Sequence, residues 1–249
     1  MLIEERFDAI MSLIKEKKVV TVQELTELLN TSESTIRRDL AQLDKMGRLI
    51  KVHGGATSLD VEYATKDLEM AVKYDLNKES KEKIAEYAAS LIQPNDFVYV
   101  DAGSTTEMMV DYITVKNATF VTNSIGHGKK LAAKGCRTYI LGGELKSTTE
   151  ATVGSETIEA LQKFNFTKGF WGTNGVSVHQ GFTTPDVSEA MVKRKSMERC
   201  KECFVLCDFS KFNLISPVTF GEFKSATIIT CNLADSVFKT YKNVVEVGR

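Results

Sequence analysis

The chain has 249 residues, 43% of them hydrophobic and 26% charged, with a formal net charge of -1. Those proportions exclude an intrinsically disordered chain and collagen-like or mucin-like repeats, and the length suits one large domain or two smaller ones. No apolar run approaches the ~20 residues that span a bilayer, and Met1-Leu2-Ile3-Glu4-Glu5 lacks the apolar stretch of a secretory signal. The expected location is cytoplasmic, with no membrane partner. Five cysteines, an odd number, suit reduced thiols better than a disulfide framework.

Charge is unevenly spread. Between Thr35 and His53 lie Arg37, Arg38, Lys45, Arg48 and Lys51 against only Asp39 and Asp44, and an acidic stretch runs from Asp60 to Asp75. A polyanion responds to the field over one patch, so a near-neutral total does not exclude nucleic acid.

Apolar spacing predicts three helices before Gly47. The first runs from about Glu4 to Lys17, with Phe7, Ile10, Met11 and Ile14 on one face. Thr21-Val22-Gln23-Glu24 reads as a capping box, in which the threonine hydroxyl accepts from the Glu24 amide and the carboxylate reaches back to the Thr21 amide. Val22, Leu25, Leu28 and Leu29 then form the stripe of a second helix. Ser32 is suited to cap a third, which reaches about Met46 and stops at Gly47. At about 100° per residue, Ile36, Leu40 and Leu43 share its core face. Ser34, Arg38, Ala41 and Lys45 lie opposite, with Thr35, Arg37 and Gln42 on the flanks.

A helix, a tight turn and a second helix with a small cationic outer face are the parts of a helix-turn-helix. Arginine there can make paired hydrogen bonds to guanine edges or to phosphate, and Ser32 and Ser34 stand where a helix start meets backbone phosphate. Arg38 is favoured for the groove and Arg37 for phosphate, and the sequence alone does not separate the two roles. Arg48 to Thr57 alternates around Gly54-Gly55 and predicts a β-hairpin. That hairpin is a wing carrying Arg48, Lys51 and His53 beside the duplex. Residues 1–57 therefore read as a winged helix-turn-helix for double-stranded DNA.

The run Ser34-Thr35-Ile36-Arg37-Arg38-Asp39-Leu40, followed by Val52-His53-Gly54-Gly55-Ala56, resembles the DeoR family of bacterial transcriptional regulators. The resemblance implies operator binding, most often as a repressor.

Residues 58–77 read as a polar, acidic linker and residues 78–249 as a second domain. A helix through Ile84, Ala88, Leu91 and Ile92 ends at Pro94. Short apolar runs come next: Phe97 to Val100, Phe120-Val121, Tyr139 to Leu141, Gly169 to Trp171, Phe204 to Leu206 and Ile228-Ile229. Buried strands separated by amphipathic segments indicate a Rossmann-like α/β fold with a mainly parallel sheet, whose ligands bind at the strands' carboxyl ends. The residues just past each strand therefore carry the binding signal. Asp101-Ala102-Gly103-Ser104-Thr105-Thr106, opening a helix near Glu107, forms an anion cradle of hydroxyls and helix-terminal N–H groups. Later strands lead into Asn123-Ser124, Gly142-Gly143, Asn174-Gly175 and Asp208-Phe209-Ser210-Lys211, and a further helix start joins Thr183 to Glu189 and Lys193. Together they describe a pocket for a polyhydroxyl anion.

The order Asp-Ala-Gly-Ser-Thr-Thr, Thr-Asn-Ser, Leu-Gly-Gly, Asn-Gly-Val, Gly-Phe-Thr, Glu-Ala-x-x-Lys and Asp-x-Ser-Lys-Phe, over about Tyr74 to Ile229, again resembles the DeoR family, here its C-terminal sensor domain. That resemblance implies a ribose-5-phosphate-isomerase-like fold that senses phosphorylated sugars. Phe209 departs from it, since family members often carry a second serine there.

An aldose–ketose isomerase is the rival reading. Enolisation needs a carboxylate base, and Gly172-Thr173-Asn174-Gly175 offers none at the comparable strand end. Cys203 and Cys207 bracket an apolar strand about 13 Å long, so the cysteines read as small buried thiols rather than metal ligands. His127 and His179 have no partner at metal spacing and read as surface or loop residues. The expectation is a two-domain regulator, a repressor of a sugar-metabolism operon, working as a dimer or tetramer under a sugar-phosphate effector, with no cofactor, metal or catalytic residues.

Overall fold

The computed structural model describes residues 2–17, 19–46, 48–52, 54–58, 62–63, 70–233 and 238–248. The chain divides into two compact units, Met1–Val61 with Ala234–Lys242, and Glu62–Leu233 with Asn243–Arg249.

The first unit contains α1 (Ile3–Lys17), β1 (Val19–Thr21), α2 (Val22–Leu29), α3 (Glu33–Lys45), β2 (Ile50–Val52) and β3 (Gly55–Thr57). Phe7, Ile10 and Ile14 of α1 close one core with Val22 and Leu25 of α2 and Ile36, Leu40 and Leu43 of α3. Leu28 departs from the predicted stripe and is exposed. β2 and β3 form the expected hairpin, and β1 adds an unexpected third antiparallel strand in the order β1-β3-β2. Gly55 makes room for it, because a Cβ at that position would run into the Val20 carbonyl oxygen.

Thr21 caps α2, accepting from the Glu24 amide at 3.1 Å. The return half of the predicted capping box does not form. Thr21 pairs with Gly55 in the strand ladder, and the Glu24 carboxylate bonds Lys17 instead. That hydrogen bond holds the Glu24 carboxyl below its ordinary range. Ser32 caps α3 through the Thr35 amide; Gly47, its predicted stop, lies outside the described residues.

The second unit begins with β4 (Glu62–Tyr63), α4 (Met70–Asp75), α5 (Lys78–Ser90), β5 (Phe97–Val100), α6 (Ser104–Tyr112), β6 (Thr119–Thr122), α7 (Ile125–Ala133) and β7 (Arg137–Ile140). Next come β8 (Glu144–Lys146), β9 (Ala151–Val153), α8 (Ser155–Leu161), β10 (Phe166–Gly172), β11 (Gly175–Ser177), β12 (Gly181–Thr184), α9 (Val187–Glu198) and β13 (Cys200–Leu206). The chain finishes with β14 (Leu214–Ile215), β15 (Val218–Gly221), β16 (Thr227–Cys231) and β17 (Val244–Val247). Seven strands make one parallel sheet in the order β17-β16-β13-β10-β5-β6-β7.

Central strands are buried toward their carboxyl ends, as at Val98 to Val100, Phe170-Trp171 and Val205-Leu206, which is why those stretches read as continuous apolar runs. β7 contradicts that reading. It is an edge strand, and Tyr139 and Ile140 are largely exposed. Part of the predicted linker also belongs to this unit, since β4 pairs with β14 and Asn77 donates to Asp208 at 2.8 Å.

Candidate functional site

The first unit presents its predicted residues outward. Ser32, Ser34, Arg37, Arg38, Gln42, Lys45 and Lys51 are described on the outside, with Thr35 and Arg48 half-buried or at its edge. His53 lies outside the described residues. The start of α3 is held by hydrogen bonds among hydroxyls, with Ser32 Oγ 2.9 Å from both Ser34 Oγ and Thr35 Oγ1. Arg37 reaches Glu33 at 3.2 Å and Arg48 reaches Asp8 at 3.5 Å. Arg38 and Lys45 have no ion-pair partner among the described residues.

Asp39 must be removed from the surface charge count. It is fully buried, and Arg6 of α1 donates to both its oxygens at 2.5 and 3.1 Å. The hydrogen bond to Asp39 raises the pKa of Arg6. Helix α3 is thus pinned to α1 by an internal ion pair, and its outer face is more cationic than the sequence alone suggests.

In the second unit a cleft opens at the carboxyl ends of the adjacent strands β5, β10 and β13, lined by residues 102–105, 172–174 and 206–208. The chain runs from β5 to β6 and β7 on one side of the sheet and resumes with β10 on the other. The cleft therefore sits at the reversal of strand order, where ligands of open α/β sheets bind. Of the predicted effector residues, Gly103, Ser104, Thr105, Asn174, Glu189, Lys193 and Lys211 line it.

The other six form its scaffold. Asp101 is buried and takes an ion pair from Lys193 and a hydrogen bond from the Gly172 amide at 3.3 Å. Burial pushes its carboxyl above the ordinary value, against the pull of Lys193. Asn123 accepts from the Ala102 amide at 2.9 Å, and Ser124 caps α7 through the His127 amide. Helix α6 starts at Ser104, earlier than the predicted Glu107, so Thr106 lies in its first turn and bonds the Asp101 and Gly103 carbonyls at 2.7 and 2.9 Å. Gly175 lies in β11 against the Leu214 carbonyl, where a Cβ would not fit. Thr183 Oγ1, fully buried, accepts from the Ser216 amide at 2.9 Å.

Sequence reasoning missed the cations that arrive from upstream. Lys73 and Lys81 line the same cleft. Lys81 is 4% exposed and donates to Ser104 Oγ at 3.3 Å. Burial lowers its pKa, with Asp208 acting in the opposite direction. Opposite stands Glu189, which accepts from Lys146 at 2.9 Å and Thr149 at 2.5 Å. Asp208 is held by Asn77 and by Ser210 Oγ at 2.5 Å. Each carboxylate near the cleft is therefore already bonded, and the arrangement favours an anion.

Three further readings are settled. His127 is not a surface residue; it shares the inner face of α7 with Leu131 and is fully buried, whereas His179 is exposed. Cys207 is buried, but Cys200 and Cys203, at the open start of β13, are half-exposed. Phe209 is exposed and does not line the cleft.

A winged helix-turn-helix with an open cationic face, together with an α/β unit holding an anion-suited cleft, defines a ligand-responsive DNA-binding regulator. Comparison with known proteins supplies the family. Residues 6–62 match the DeoR-like helix-turn-helix domain and residues 76–232 the DeoR C terminal sensor domain. The chain is 43% identical over 251 residues to the "Uncharacterized HTH-type transcriptional regulator FruR" of Bacillus subtilis (strain 168), with 99% of each chain covered. It is 31% identical over 249 residues to a lactose phosphotransferase system repressor of Staphylococcus aureus, covering 97% of this chain and 98% of that one.

The protein belongs to the DeoR family of transcriptional regulators: its first unit binds DNA and its second senses a small molecule. Solved structures are more distant. A probable sor operon regulator from Shigella flexneri has a TM-score of 0.45 at 9% identity, covering 71% of this chain and 91% of that one. Ribose 5-phosphate isomerase A from Methanocaldococcus jannaschii has a TM-score of 0.39 at 14% identity, covering 55% of each chain. No helix among the described residues is long and apolar enough to cross a membrane.

Proposed function

We propose that the protein is a cytoplasmic repressor of a sugar-metabolism operon whose grip on operator DNA is set by a phosphorylated sugar bound in the second unit. What carries this reading is the convergence of Lys81, Lys193, Lys211 and the start of α6 on one cleft. Phosphate meets helix-terminal N–H groups and ammonium groups there, while Asn174, Glu189 and Thr149 suit sugar hydroxyls. Burial disfavours the charged form of Lys81, and an incoming phosphate restores it. At about 60 Å³ the cleft is narrow beside the ~300–1,000 Å³ of drug-sized sites, so its ligand is small and its entry widens the cleft. The names of the relatives, among them a lactose phosphotransferase system repressor, agree with that ligand class.

In the first unit Arg38 enters the major groove, with Gln42 and Lys45 on the same helix. Ser32, Ser34, Thr35, Arg37, Arg48, Lys51 and His53 serve the phosphate backbone. One short helix reads too few base pairs to find a site in a genome, so the working species is a homo-oligomer. A two-fold dimer sets its reading helices about 34–36 Å apart, or at a multiple of that spacing. The effector acts by binding the DNA-competent and DNA-incompetent states unequally, typically by about 1–3 kcal/mol. An isomerase is disfavoured because Glu189 and Asp208, the carboxylates that line the cleft, are committed to Lys146 and Thr149 and to Asn77 and Ser210, and Asp101 behind them to Lys193.

The test is a thermal-shift and operator gel-shift screen of the purified chain against a panel of sugar phosphates, beside Lys211→Ala. One sugar phosphate should raise the unfolding temperature and change operator affinity. Lys211→Ala should bind operator normally and lose that response. Turnover of a sugar phosphate, or an unresponsive chain across the panel, overturns the reading.

A further inference from the structure

The effector cleft has to widen for its ligand to enter, and its walls are unequally held. The ends of β5, β10 and β13 are locked into one hydrogen-bonded sheet. Thr149, between β8 and β9, donates to Glu189 at 2.5 Å. Lys146 of the same hairpin pairs with Glu189 and Asp186 at 2.9 and 3.2 Å. A further wall is made by Lys73 of α4 and by Leu76 just after it. Helix α4 has six residues, well below the ~12–15 at which isolated helices become even marginally stable.

Lys81 ties that short helix to the site. Its ammonium, on α5, donates to the main-chain carbonyl of Lys73 and to Ser104 Oγ of α6 at 3.3 Å. Burial lowers its pKa; Asp208 opposes the fall, and Lys211 and Lys73 add to it. An anion is what this group of cations lacks. Charge on both partners makes an ammonium–phosphate bond stronger than a bond to a neutral carbonyl. Between α4 and α5 stands Asn77, left-handed at φ 53°. It is held in place by Asp208 at 2.8 Å and Ser210 at 3.3 Å. Release of the Lys73 carbonyl therefore leaves this corner fixed and lets α4 swing about it. In sequence the chain passes from the first unit through the two-residue strand β4 to α4. Whatever moves α4 thus acts on the segment that joins reader to receptor.

We propose that Lys81 is the residue through which an occupied cleft addresses the DNA reader: phosphate takes its ammonium from the Lys73 carbonyl, and α4 swings outward about Asn77. The proposal rests on the phosphorylated effector read above. It gives two lysines of one cleft different roles. Lys211 holds the ligand, whereas Lys81 holds either the ligand or α4.

Hydrogen–deuterium exchange of the full chain, with and without saturating inorganic phosphate, tests this beside Lys81→Met and Lys211→Ala, each checked for folding by circular dichroism. In the wild type, phosphate should slow exchange at residues 102–106 and speed it at 70–77 by about tenfold, the scale of one hydrogen bond. Lys81→Met keeps the length of the side chain and removes its charge. It should show the faster exchange at 70–77 without phosphate and grip operator as the phosphate-saturated wild type does. Lys211→Ala should resemble the empty wild type in both respects. Phosphate that protects 102–106 and leaves 70–77 unchanged overturns the role of Lys81 and leaves the effector reading standing. So does a Lys81→Met chain that behaves like Lys211→Ala. Phosphate that alters neither segment overturns both, since a phosphate ester binds through the same oxygens. The wild-type comparison decides the matter even if Lys81→Met fails to fold.

Discussion

The two units treat positive charge in opposite ways. On α3, Arg38 and Lys45 stand in solvent without an ion-pair partner among the described residues. In the cleft, Lys81 and Lys193 are about 95% buried, and each already holds a protein oxygen. The ligands proposed for the two units explain the contrast. Duplex DNA presents its phosphates to an outer face, and released counterions supply much of the affinity, so solvated arginines suffice and binding weakens steeply with salt. A small anion has to be enclosed, and an enclosed cation persists only if its partners are fixed beforehand. One site is easily altered without harming the fold; the other is part of the fold.

The contrast breaks first at the internal ion pairs. Lys193→Ala strands the Asp101 carboxylate and should cost the second unit about 3–5 kcal/mol in urea unfolding. Arg6→Ala should do the same to the first unit through Asp39, showing that the open DNA face depends on a closed pair behind it. A loss below about 1 kcal/mol would mean that water reaches these pairs and the contrast is false.

On the outer face, Arg38→Ala should weaken operator binding by about 1–3 kcal/mol and leave stability unchanged within about 0.5 kcal/mol. An unaltered footprint removes Arg38 from the groove. The smallest effect concerns pH. Burial, with Lys130 nearby, takes the His127 imidazole down to about 3. An unfolded chain protonates that ring near its ordinary 6.5, so the unfolded state binds more protons between those limits. The neutral ring's contribution is full above that value and falls by up to about 1.4 kcal/mol per unit as the pH drops below it. Unfolding curves at pH 7, 6 and 5 should be flatter for His127→Gln, and identical slopes would show that the ring is hydrated.

Legibility differed between the units for a related reason. The first was readable because its signals are local: the Ser32 cap, the spacing of Ile36, Leu40 and Leu43, and the glycine pair of the wing all act within a few residues. What escaped there was nonlocal or too short, namely the pairing of Asp39 with Arg6 across 33 positions and the three-residue strand β1. In the second unit the strand-end loops were legible because apolar runs announce the strands that carry them. Lys81 was not, since a lysine in an amphipathic helix reads as solvated until the sheet order brings α5 over the ends of β5 and β13. His127 was misread because a lone histidine carries no periodic signal, although Leu131 four positions later shares its inner face.

The C-terminal path of the chain has a consequence for dissection and for ancestry. After β16 the chain passes to Ala234–Lys242, which group with the first unit, and is again in the second as β17 at the sheet's margin. Covalent continuity thus crosses the boundary more often than a single tether requires, and no one scission releases either part whole. Grafting a foreign receptor onto this reader calls for two junctions rather than one, and exchange by simple recombination is correspondingly constrained.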